Sequence, residues 1–304
     1  MSDVGKKSFD LHPETLMMSH GYDPFLSEGA VKPPVFLTST FAFRTAEDGE
    51  AFFDSLRAKD DANTGLIYSR FNHPNLQIAE DRLAVFEQGE AAAVFSSGMS
   101  AISTTMLSLV RPNEVILRSQ PLYGGTETLI TNVLANMGVK TASFVDGLSA
   151  SAIVDATEDA MNSGVVSMIF LETPSNPTNT LINFDAVAQA ASHIEKSQDR
   201  RPLIVCDNTL LGPIFQSPLV HGVDLVVYSL TKYVGGHSDL VAGAVVGEKQ
   251  LVDQIRAARS AYGTQLDPHS SWMLGRSLET VSIRMKRAAE TAEKIALWLA
   301  KQPQ

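Results

Sequence analysis

From about residue 91 onward, short runs rich in Val, Ile and Phe alternate with longer amphipathic stretches, and this alternation constrains the fold more than any other feature. Several of the runs are apolar throughout, as strands buried on both faces must be. Strands joined by helices form a mostly parallel sheet that helices cover. We therefore predict an α/β fold with about seven strands, at Ala91–Ser96, Glu114–Ser119, Lys140–Val145, Val166–Glu172, Leu203–Asp207, Leu225–Ser229 and Ala242–Gly247.

Amphipathic segments fill most of the gaps between these strands. In the first segment, Leu76, Ala79, Leu83 and Phe86 recur at the spacing of one helix face. The same periodicity predicts helices over Asn75–Phe86, Ser100–Val110, Thr126–Met137, Ala150–Asn162 and Phe184–Glu195. Only a short glycine-rich turn region separates the last two strands, so we expect that part of the sheet to be antiparallel or folded over the sheet edge.

The first 70 residues lack the alternation. They contain Pro13, Pro24, Pro33 and Pro34, which favour an extended chain. We therefore predict an N-terminal arm, residues 1–70, that packs on something other than its own sheet, which in an oligomer is often a neighbouring subunit. The α/β domain then spans residues 71–267.

The end of the chain is periodic again. Apolar side chains from Trp272 to Leu299 form one stripe, with no stop signal before Pro303. The stripe predicts an amphipathic helix over Pro268–Lys301, about 50 Å long at 1.5 Å per residue. Because such a stripe needs a surface to bury it, we expect residues 268–304 to lead into a further domain.

Composition disfavours several classes of protein. The chain has 24 basic and 34 acidic residues, a net charge of −10, and such a surface repels a phosphate backbone, which makes nucleic acid an unsuitable partner. No apolar run approaches the roughly 20 residues of a membrane-spanning helix. Residues 1–10 do not resemble a secretory signal, and the single cysteine, Cys206, permits no intrachain disulfide. We therefore expect a cytoplasmic protein.

The most informative segment is Tyr228–Asp239, where Lys232 follows an apolar strand between two hydroxyl side chains and two glycines. Its amine is expected at the carboxyl end of a strand, where open α/β sheets bind ligands. Ser229 and Thr231 supply hydroxyls suited to phosphate oxygens. A desolvated lysine beside such groups suits Schiff-base chemistry, in which the neutral amine is the nucleophile. The alternative is a surface lysine before a turn.

Three further elements end or follow predicted strands. Asp207 either caps a turn or pairs with the protonated ring nitrogen of pyridoxal phosphate (PLP). Gly98 and Met99 open a helix, where unpaired backbone N–H groups favour phosphate. Tyr123 is placed either to stack on a planar heterocycle or to pack under a loop.

Together these elements resemble the γ-family of Cys/Met-metabolism PLP enzymes, which includes cystathionine γ-synthase, cystathionine γ-lyase, methionine γ-lyase and the O-acylhomoserine sulfhydrylases. The match runs from about Thr38 to the end of the chain. Its motifs are Tyr68–Pro74, which fits the family's Tyr-x-Arg-x-x-x-Pro segment, Glu172–Pro177, and the highly specific block Ser229–Asp239. The resemblance implies the type I PLP-dependent transferase fold, that of aspartate aminotransferase.

The resemblance also implies roles for individual residues. Lys232 would form the internal aldimine with PLP and then shuttle protons. Tyr123 would stack on the cofactor ring and assist as acid or base at the γ-leaving group. Asp207 would pair with the pyridinium nitrogen, and Asn176 would lie near the phenolic oxygen. The residues that would bind the cofactor phosphate are Gly98, Met99, Ser229 and Thr231, with Tyr68 and Arg70 contributed across a dimer interface.

The implied activity is γ-elimination or γ-replacement on a sulfur-containing or O-acylated homoserine-type amino acid, of the cystathionine γ-synthase or γ-lyase kind. Methionine γ-lyase and O-acylhomoserine sulfhydrylase are alternatives. Gly125 disfavours the first of these, because familiar methionine γ-lyases carry cysteine at this point. A homodimer with shared sites, paired into a homotetramer, is expected. The smaller C-terminal domain of the family, with its carboxylate-binding arginine, is absent from the sequence, so a cofactor-binding but catalytically idle assembly partner is a hypothesis of another class.

Two other groups of side chains have simpler interpretations. No ligand pair among His237, Asp239 and the neighbouring residues has zinc-like spacing, so we expect no metal site. Five basic residues near the end of the chain are expected to form a solvated helix face. They are Arg256, Arg259, Arg284, Lys286 and Arg287.

Overall fold

The computed structural model describes residues 11–58 and 65–303 of the chain. Residues 1–10, 59–64 and 304 lie outside the described residues, and the first two of these ranges belong to the predicted N-terminal arm. Within the described ranges, no helix has the length and apolar character needed to cross a membrane.

The described residues form one sheet with the predicted strands, whose ends differ from the predictions by at most one residue. Nearly all strand residues are buried, which explains why apolar runs identified them. The exception is β3, at one edge of the sheet, where most residues are at least partly exposed. The strands are β1 (Ala91–Phe95), β2 (Val115–Ser119), β3 (Lys140–Phe144), β4 (Val166–Glu172), β5 (Leu203–Asp207), β6 (Leu225–Ser229) and β7 (Gly243–Gly247).

The strand order is β1-β7-β6-β5-β4-β2-β3. β7 runs antiparallel to both of its neighbours, with Gly243 opposite Phe95 on one side and opposite Ser229 on the other. The other pairs are parallel. The last strand is therefore antiparallel, as one alternative predicted, but it is inserted inside the sheet and does not fold over its edge.

Helices cover both faces of the sheet, and successive strand residues point to opposite sides. In β4, for example, Leu171 belongs to one hydrophobic cluster and Phe170 to the other. Helices α3, α6 and α7 contribute to the first cluster, and α4 and α8 to the second. The helices are α1 (Pro13–Leu16), α2 (Ala46–Ala58), α3 (Pro74–Glu87), α4 (Gly98–Leu109), α5 (Gly124–Thr128), α6 (Ala150–Ser163), α7 (Phe184–Gln198), α8 (Lys249–Tyr262), α9 (Pro268–Leu278) and α10 (Val281–Leu299).

Several helices differ from the sequence-based predictions. The predicted helix over Thr126–Met137 consists of α5 followed by a π-helical turn over Leu129–Leu134. The single long helix predicted over Pro268–Lys301 is wrong, because the chain breaks between α9 and α10 at Glu279 and Thr280. Helices α1, α2 and α8 were not predicted.

The N-terminal segment packs partly on its own chain. Met17, which follows α1, is fully buried in the cluster that contains α3. Farther along, Phe25 is 88% exposed and Val31 is 78% exposed. Exposed large apolar side chains are candidates for contact with another subunit, and that role of the arm stays a prediction.

Strand β1 is an edge strand, and side chains satisfy its open side. Glu80 on α3 accepts the Val94 N–H at 2.9 Å. On α8, Arg259 donates to the Val94 carbonyl at 2.8 Å, and Arg256 donates to the Ala92 carbonyl at 2.7 Å. These contacts occupy backbone groups that an edge strand leaves without strand partners.

The same three side chains form a buried ion cluster. Arg259 Nη1 lies 2.5 Å from Glu80 Oε1, and both side chains are only 1% exposed. Burial by itself would raise the pKa of Glu80, but Arg259 and Arg256 lower it. The solvated face predicted for the basic residues is therefore wrong for Arg259. An arginine at a buried position of α8 interrupts the apolar periodicity from which helices were predicted.

We predict that Arg259→Met lowers the free energy of unfolding by about 3 to 5 kcal/mol, because removal of one partner leaves the Glu80 charge buried without compensation. Urea denaturation measures this. The matched control is Arg287→Met, whose side chain is 73% exposed in its pair with Glu290, and whose cost should stay below about 1 kcal/mol. Equal effects of the two changes would contradict the prediction.

Candidate active site

The carboxyl ends of the parallel strands meet at one edge of the sheet, here called the carboxyl edge, and most candidate residues lie there. β5 ends at Asp207 and β6 at Ser229. Glu172, at the end of β4, lies in register beside Asp207. The N-terminus of α4 reaches the same edge, because Gly98 packs directly on Ser229.

Asp207 is a buried carboxyl group, with 7% of the residue exposed. Its Oδ1 accepts hydrogen bonds from the hydroxyl of Thr209 at 2.6 Å and from the N–H of Thr209 at 3.0 Å. Burial raises the pKa of Asp207, against the opposing effect of these bonds. Among the described residues no hydrogen bond reaches Oδ2, which leaves that oxygen for a cationic donor.

The turn from β1 into α4 has the geometry of an anion site. Ser97 caps the helix, and its hydroxyl accepts the N–H of Ser100 at 3.0 Å. The first N–H groups of a helix have no intrahelical partner and attract anions, and those of Gly98 and Met99 are among them. A Cβ on Gly98 would lie 2.8 Å from the Cβ of Ser229, so only glycine permits this close approach.

Lys232 follows β6 in a hydrogen-bonded turn. Its N–H donates to the carbonyl of Ser229 at 3.2 Å, and the Thr231 hydroxyl accepts the N–H of Ala242 at 3.0 Å. The Lys232 residue is exposed. Its own chain therefore does not bury this residue, and the expected desolvation of its amine stays a prediction.

Arg284 on α10 fixes the far side of the same turn. Its guanidinium donates to the carbonyls of Tyr233 at 2.7 Å and Val234 at 2.9 Å, and to the Ser277 carbonyl of α9 at 2.8 Å. This arginine was also expected on a solvated face. Instead it links the junction of α9 and α10 to the turn that carries Lys232.

Tyr123 and Asn176 lie on the loops that follow β2 and β4. Both residues are exposed, Tyr123 by 46%. The Tyr123 N–H donates to Glu172 Oε2 at 2.5 Å, and the Asn176 N–H donates to Glu172 Oε1 at 2.8 Å. Burial, and then the nearby Asp207 carboxylate, raise the pKa of Glu172 to about 7.

The structure does not join Tyr68 and Arg70 to this group. Arg70 donates to the Ser260 carbonyl on α8, and its guanidinium carbon lies 4.6 Å from the ring centroid of Phe71. Tyr68 forms an isolated bridge with Thr40 and is 40% exposed. The predicted role of both residues at a neighbouring subunit's cofactor stays a prediction.

Sequence reasoning missed two residues of the carboxyl edge. Thr209 donates to Asp207 and also accepts the N–H of Ser229 at 2.8 Å, so it connects β5 to β6. Glu172 ends a buried strand just as Asp207 does, and this shared position was a signal that could have identified it. Within the described ranges, no group of three or more His, Cys, Asp or Glu side chains could hold a metal ion.

A second polar cluster lies buried behind Asp207. The Tyr228 hydroxyl contacts Glu87, and Asn208 Nδ2 lies 2.8 Å from that hydroxyl and 3.3 Å from Glu87 Oε1. Burial raises the pKa of Glu87 to about 8, although its bond to Asn208 acts in the opposite direction. This carboxyl group is therefore neutral over most of the physiological pH range.

Comparison with known proteins now identifies the family. The family model described as Cys/Met metabolism PLP-dependent enzyme matches residues 14–304. The chain belongs to this family. The predictions of the fold class, of PLP as cofactor and of an enzyme of sulfur amino-acid metabolism are thereby confirmed.

Relatives are similar over nearly the whole chain. L-methionine gamma-lyase from Pseudomonas putida is 39% identical over 292 residues, which cover 95% of this chain and 69% of the relative. Cystathionine gamma-lyase from Bacillus subtilis is 33% identical over 291 residues, which cover 95% of this chain and 70% of the relative. The chain thus spans about two thirds of the length of these relatives.

Solved structures of the family share the fold. Cystathionine gamma-lyase from Lactobacillus plantarum, complexed with L-serine, superposes with a TM-score of 0.82 and 31% identity, covering 96% of this chain and 70% of that one. The structure of metB from Corynebacterium glutamicum gives a TM-score of 0.84 and 28% identity, covering 97% of this chain and 70% of that one.

The residues at the carboxyl edge suit PLP. The open Oδ2 of Asp207 suits a protonated ring nitrogen, and the N-terminus of α4 suits a phosphate. The cradle between Gly98 and Ser229 would be filled by any Cβ at residue 98. These features come from three separate chain segments, which makes their convergence informative.

We predict that Gly98→Ala weakens PLP binding at least tenfold, because the new methyl group would lie 2.9 Å from the Cα of Ser229 and must displace backbone of the anion site. Titration of PLP, followed by its visible absorbance, measures the dissociation constant. The control is Gly275→Ala in α9, where the methyl group would lie 3.8 Å from Arg82 Nη1, an ordinary van der Waals contact. A wild-type affinity in Gly98→Ala would contradict the prediction.

We predict a second, pH-dependent effect at Glu87. Its folded-state pKa of about 8 exceeds the ordinary 4.5, so its contribution to stability is complete below pH 4.5 and is lost as the pH rises through 8. Relative to Glu87→Gln, the wild-type free energy of unfolding should fall by about 3 to 4 kcal/mol between pH 5 and pH 8. Asp207 and Glu172 shift in the same direction but remain in both proteins. Urea denaturation at each pH would refute the prediction if the two profiles were parallel.

Proposed function

We propose that the protein catalyses PLP-dependent γ-elimination or γ-replacement on a sulfur-containing or O-acylated homoserine-type amino acid. The observation that carries the proposal is the convergence of the Lys232 turn, the buried Asp207 and the N-terminus of α4 at one edge of the sheet. Bound PLP supplies an electron sink for the α-carbon of an amino acid. The protein must then hold the cofactor and move protons.

Each candidate residue has a defined task in this reaction. Asp207 holds the proton on the ring nitrogen through its open Oδ2. Lys232 Nζ first holds the cofactor and then takes the proton from the substrate α-carbon. The Tyr123 hydroxyl returns a proton to the leaving group on the γ-carbon, and Asn176 would contact the phenolic oxygen of the cofactor. The residues that hold the phosphate are Gly98, Met99, Ser229 and Thr231.

The choice of substrate depends on the loop of Tyr123. A Cβ on Gly125 would lie 2.6 Å from Cε1 of Tyr123 and 3.1 Å from Sδ of Met99. A cysteine at residue 125 would therefore displace the tyrosine ring. This supports the cystathionine γ-synthase or γ-lyase alternative, whereas the 39% identity to the methionine gamma-lyase of Pseudomonas putida supports methionine.

We further propose a cytoplasmic homodimer with shared sites, paired into a homotetramer. The α/β domain, residues 71–267, would hold the cofactor, and the N-terminal arm, residues 1–70, would contact the neighbouring subunit. Exposed apolar side chains such as Phe25 support an interface on the arm.

The activity is tested by replacing the candidate lysine. Wild-type protein with PLP should show the visible absorbance of the bound cofactor and should form 2-oxobutanoate or cystathionine from cystathionine, methionine, or O-acylhomoserine with cysteine. Lys232→Ala should lose product formation, because the group that moves the α-proton is gone. Lys286→Ala, at another exposed lysine, should retain it. Product from none of the substrates, with PLP bound, would instead favour the idle assembly partner.

The shared site is tested by complementation. Mixed dimers of Lys232→Ala with Arg70→Ala chains contain one intact site if Arg70 acts on the neighbouring subunit's cofactor. Random mixing should then restore about a quarter of wild-type activity, since half of the dimers are mixed and each has one working site. No recovery, with both chains folded and dimeric, would count against shared sites.

A further inference from the structure

Glu172 contacts three of the candidate residues although no proposed catalytic step uses it. Its carboxylate lies at the end of β4 and is buried, with 5% of the residue exposed. One oxygen accepts the Tyr123 N–H at 2.5 Å and the other accepts the Asn176 N–H at 2.8 Å. Its backbone lies in register beside Asp207.

These two hydrogen bonds connect separate loops. Tyr123 follows β2 and precedes α5, where its own side chain makes no capping bond. Asn176 belongs to the loop after β4. A single carboxylate thus sets the distance between the backbone of the proposed ring-stacking residue and that of the residue proposed for the phenolic oxygen. Bonds to an ionised acceptor are shorter and stronger than neutral ones.

We propose that Glu172 is a positioning residue that holds the backbones of Tyr123 and Asn176 at the spacing that the proposed cofactor site requires. The proposal rests on the proposed function, because it assumes that this edge binds PLP. Glu172 touches neither of the proposed reacting atoms. It acts through the two backbone N–H groups that it fixes.

Electrostatics couple this task to cofactor binding. The ionisable groups that interact with the Glu172 carboxylate are Asp207 and the buried thiol of Cys206, both on β5. From the loop after β2, Tyr123 contacts it through its backbone N–H. Burial and Asp207 disfavour the ionised form of Glu172. A cation bound at Asp207 Oδ2 would offset that repulsion. A protonated ring nitrogen at Asp207 would therefore favour the ionised form of Glu172, and this form binds the two backbone N–H groups more strongly.

Glu172→Gln tests this inference, because glutamine keeps the size of the side chain but has one acceptor for two donors. We expect PLP binding to weaken about tenfold, as for one lost hydrogen bond to a charged group, and the visible circular dichroism of bound PLP to change. With substrate, kcat should fall more than KM rises. Glu172→Asp, which keeps the charge but shortens the reach, should lie between Glu172→Gln and wild type, and it serves if Glu172→Gln fails to fold.

The matched control is Glu114→Gln at the opposite edge of the sheet. Glu114 also accepts a backbone N–H, that of Arg111 at 2.8 Å, and a second donor from Arg200 at 2.6 Å. It should lose stability without any change in PLP affinity or dichroism. The inference is overturned if folded Glu172→Gln and Glu172→Asp bind PLP with wild-type affinity and dichroism. It is also overturned if Glu114→Gln weakens PLP binding and changes the dichroism as much as the Glu172 variants do. Failure of wild-type protein to bind PLP would instead refute the proposed function.

Discussion

The buried contact of Glu80 with Arg259 determines how the edge strand β1 is held. β1 has a strand partner on one side only, and side chains from α3 and α8 occupy backbone groups on its other side. An edge strand held in this way cannot pair with another chain at those groups. Because β1 runs directly into Ser97 and α4, the ion cluster also fixes where α4 presents its free N–H groups. The position proposed for the phosphate thus depends on a charge pair that lies on the side of β1 facing away from β7.

Burial decides which parts of the molecule could be predicted from the sequence. Strands such as Val166–Glu172 are covered on both faces, so an apolar run and its flanking residues give their bounds closely. Lys232, Asp207 and Gly98 were identified because each follows such a strand. Predictions failed where tertiary contacts replaced apolar burial. Arg259 is buried by pairing with Glu80, which no periodicity reveals, and the break between α9 and α10 interrupts an apolar stripe that continues across it.

The exposure of individual residues was also beyond the reach of the sequence. A position after a strand says where the backbone of Lys232 lies, but the solvation of its amine depends on what covers the carboxyl edge. Arg70 illustrates the same limit, since its motif was clear but its partner in the single chain is the Ser260 carbonyl. For both residues the sequence gives the position in the chain but not the surroundings of the side chain.

The carboxyl edge has an electrical polarity that matches a dipolar ligand. At one end, α4 directs unpaired N–H groups and the positive end of its dipole outward, which favours a phosphate. At the other end, the adjacent carboxyl groups of Asp207 and Glu172 raise the energy of any second negative charge, as their elevated pKa values indicate. A ligand with an anion at one end and a protonated ring nitrogen at the other lowers the electrostatic energy at both ends only in one orientation. Burial of the acidic pair would therefore favour one direction of PLP in the proposed site, with the ring nitrogen toward Asp207 and the phosphate toward the N-terminus of α4.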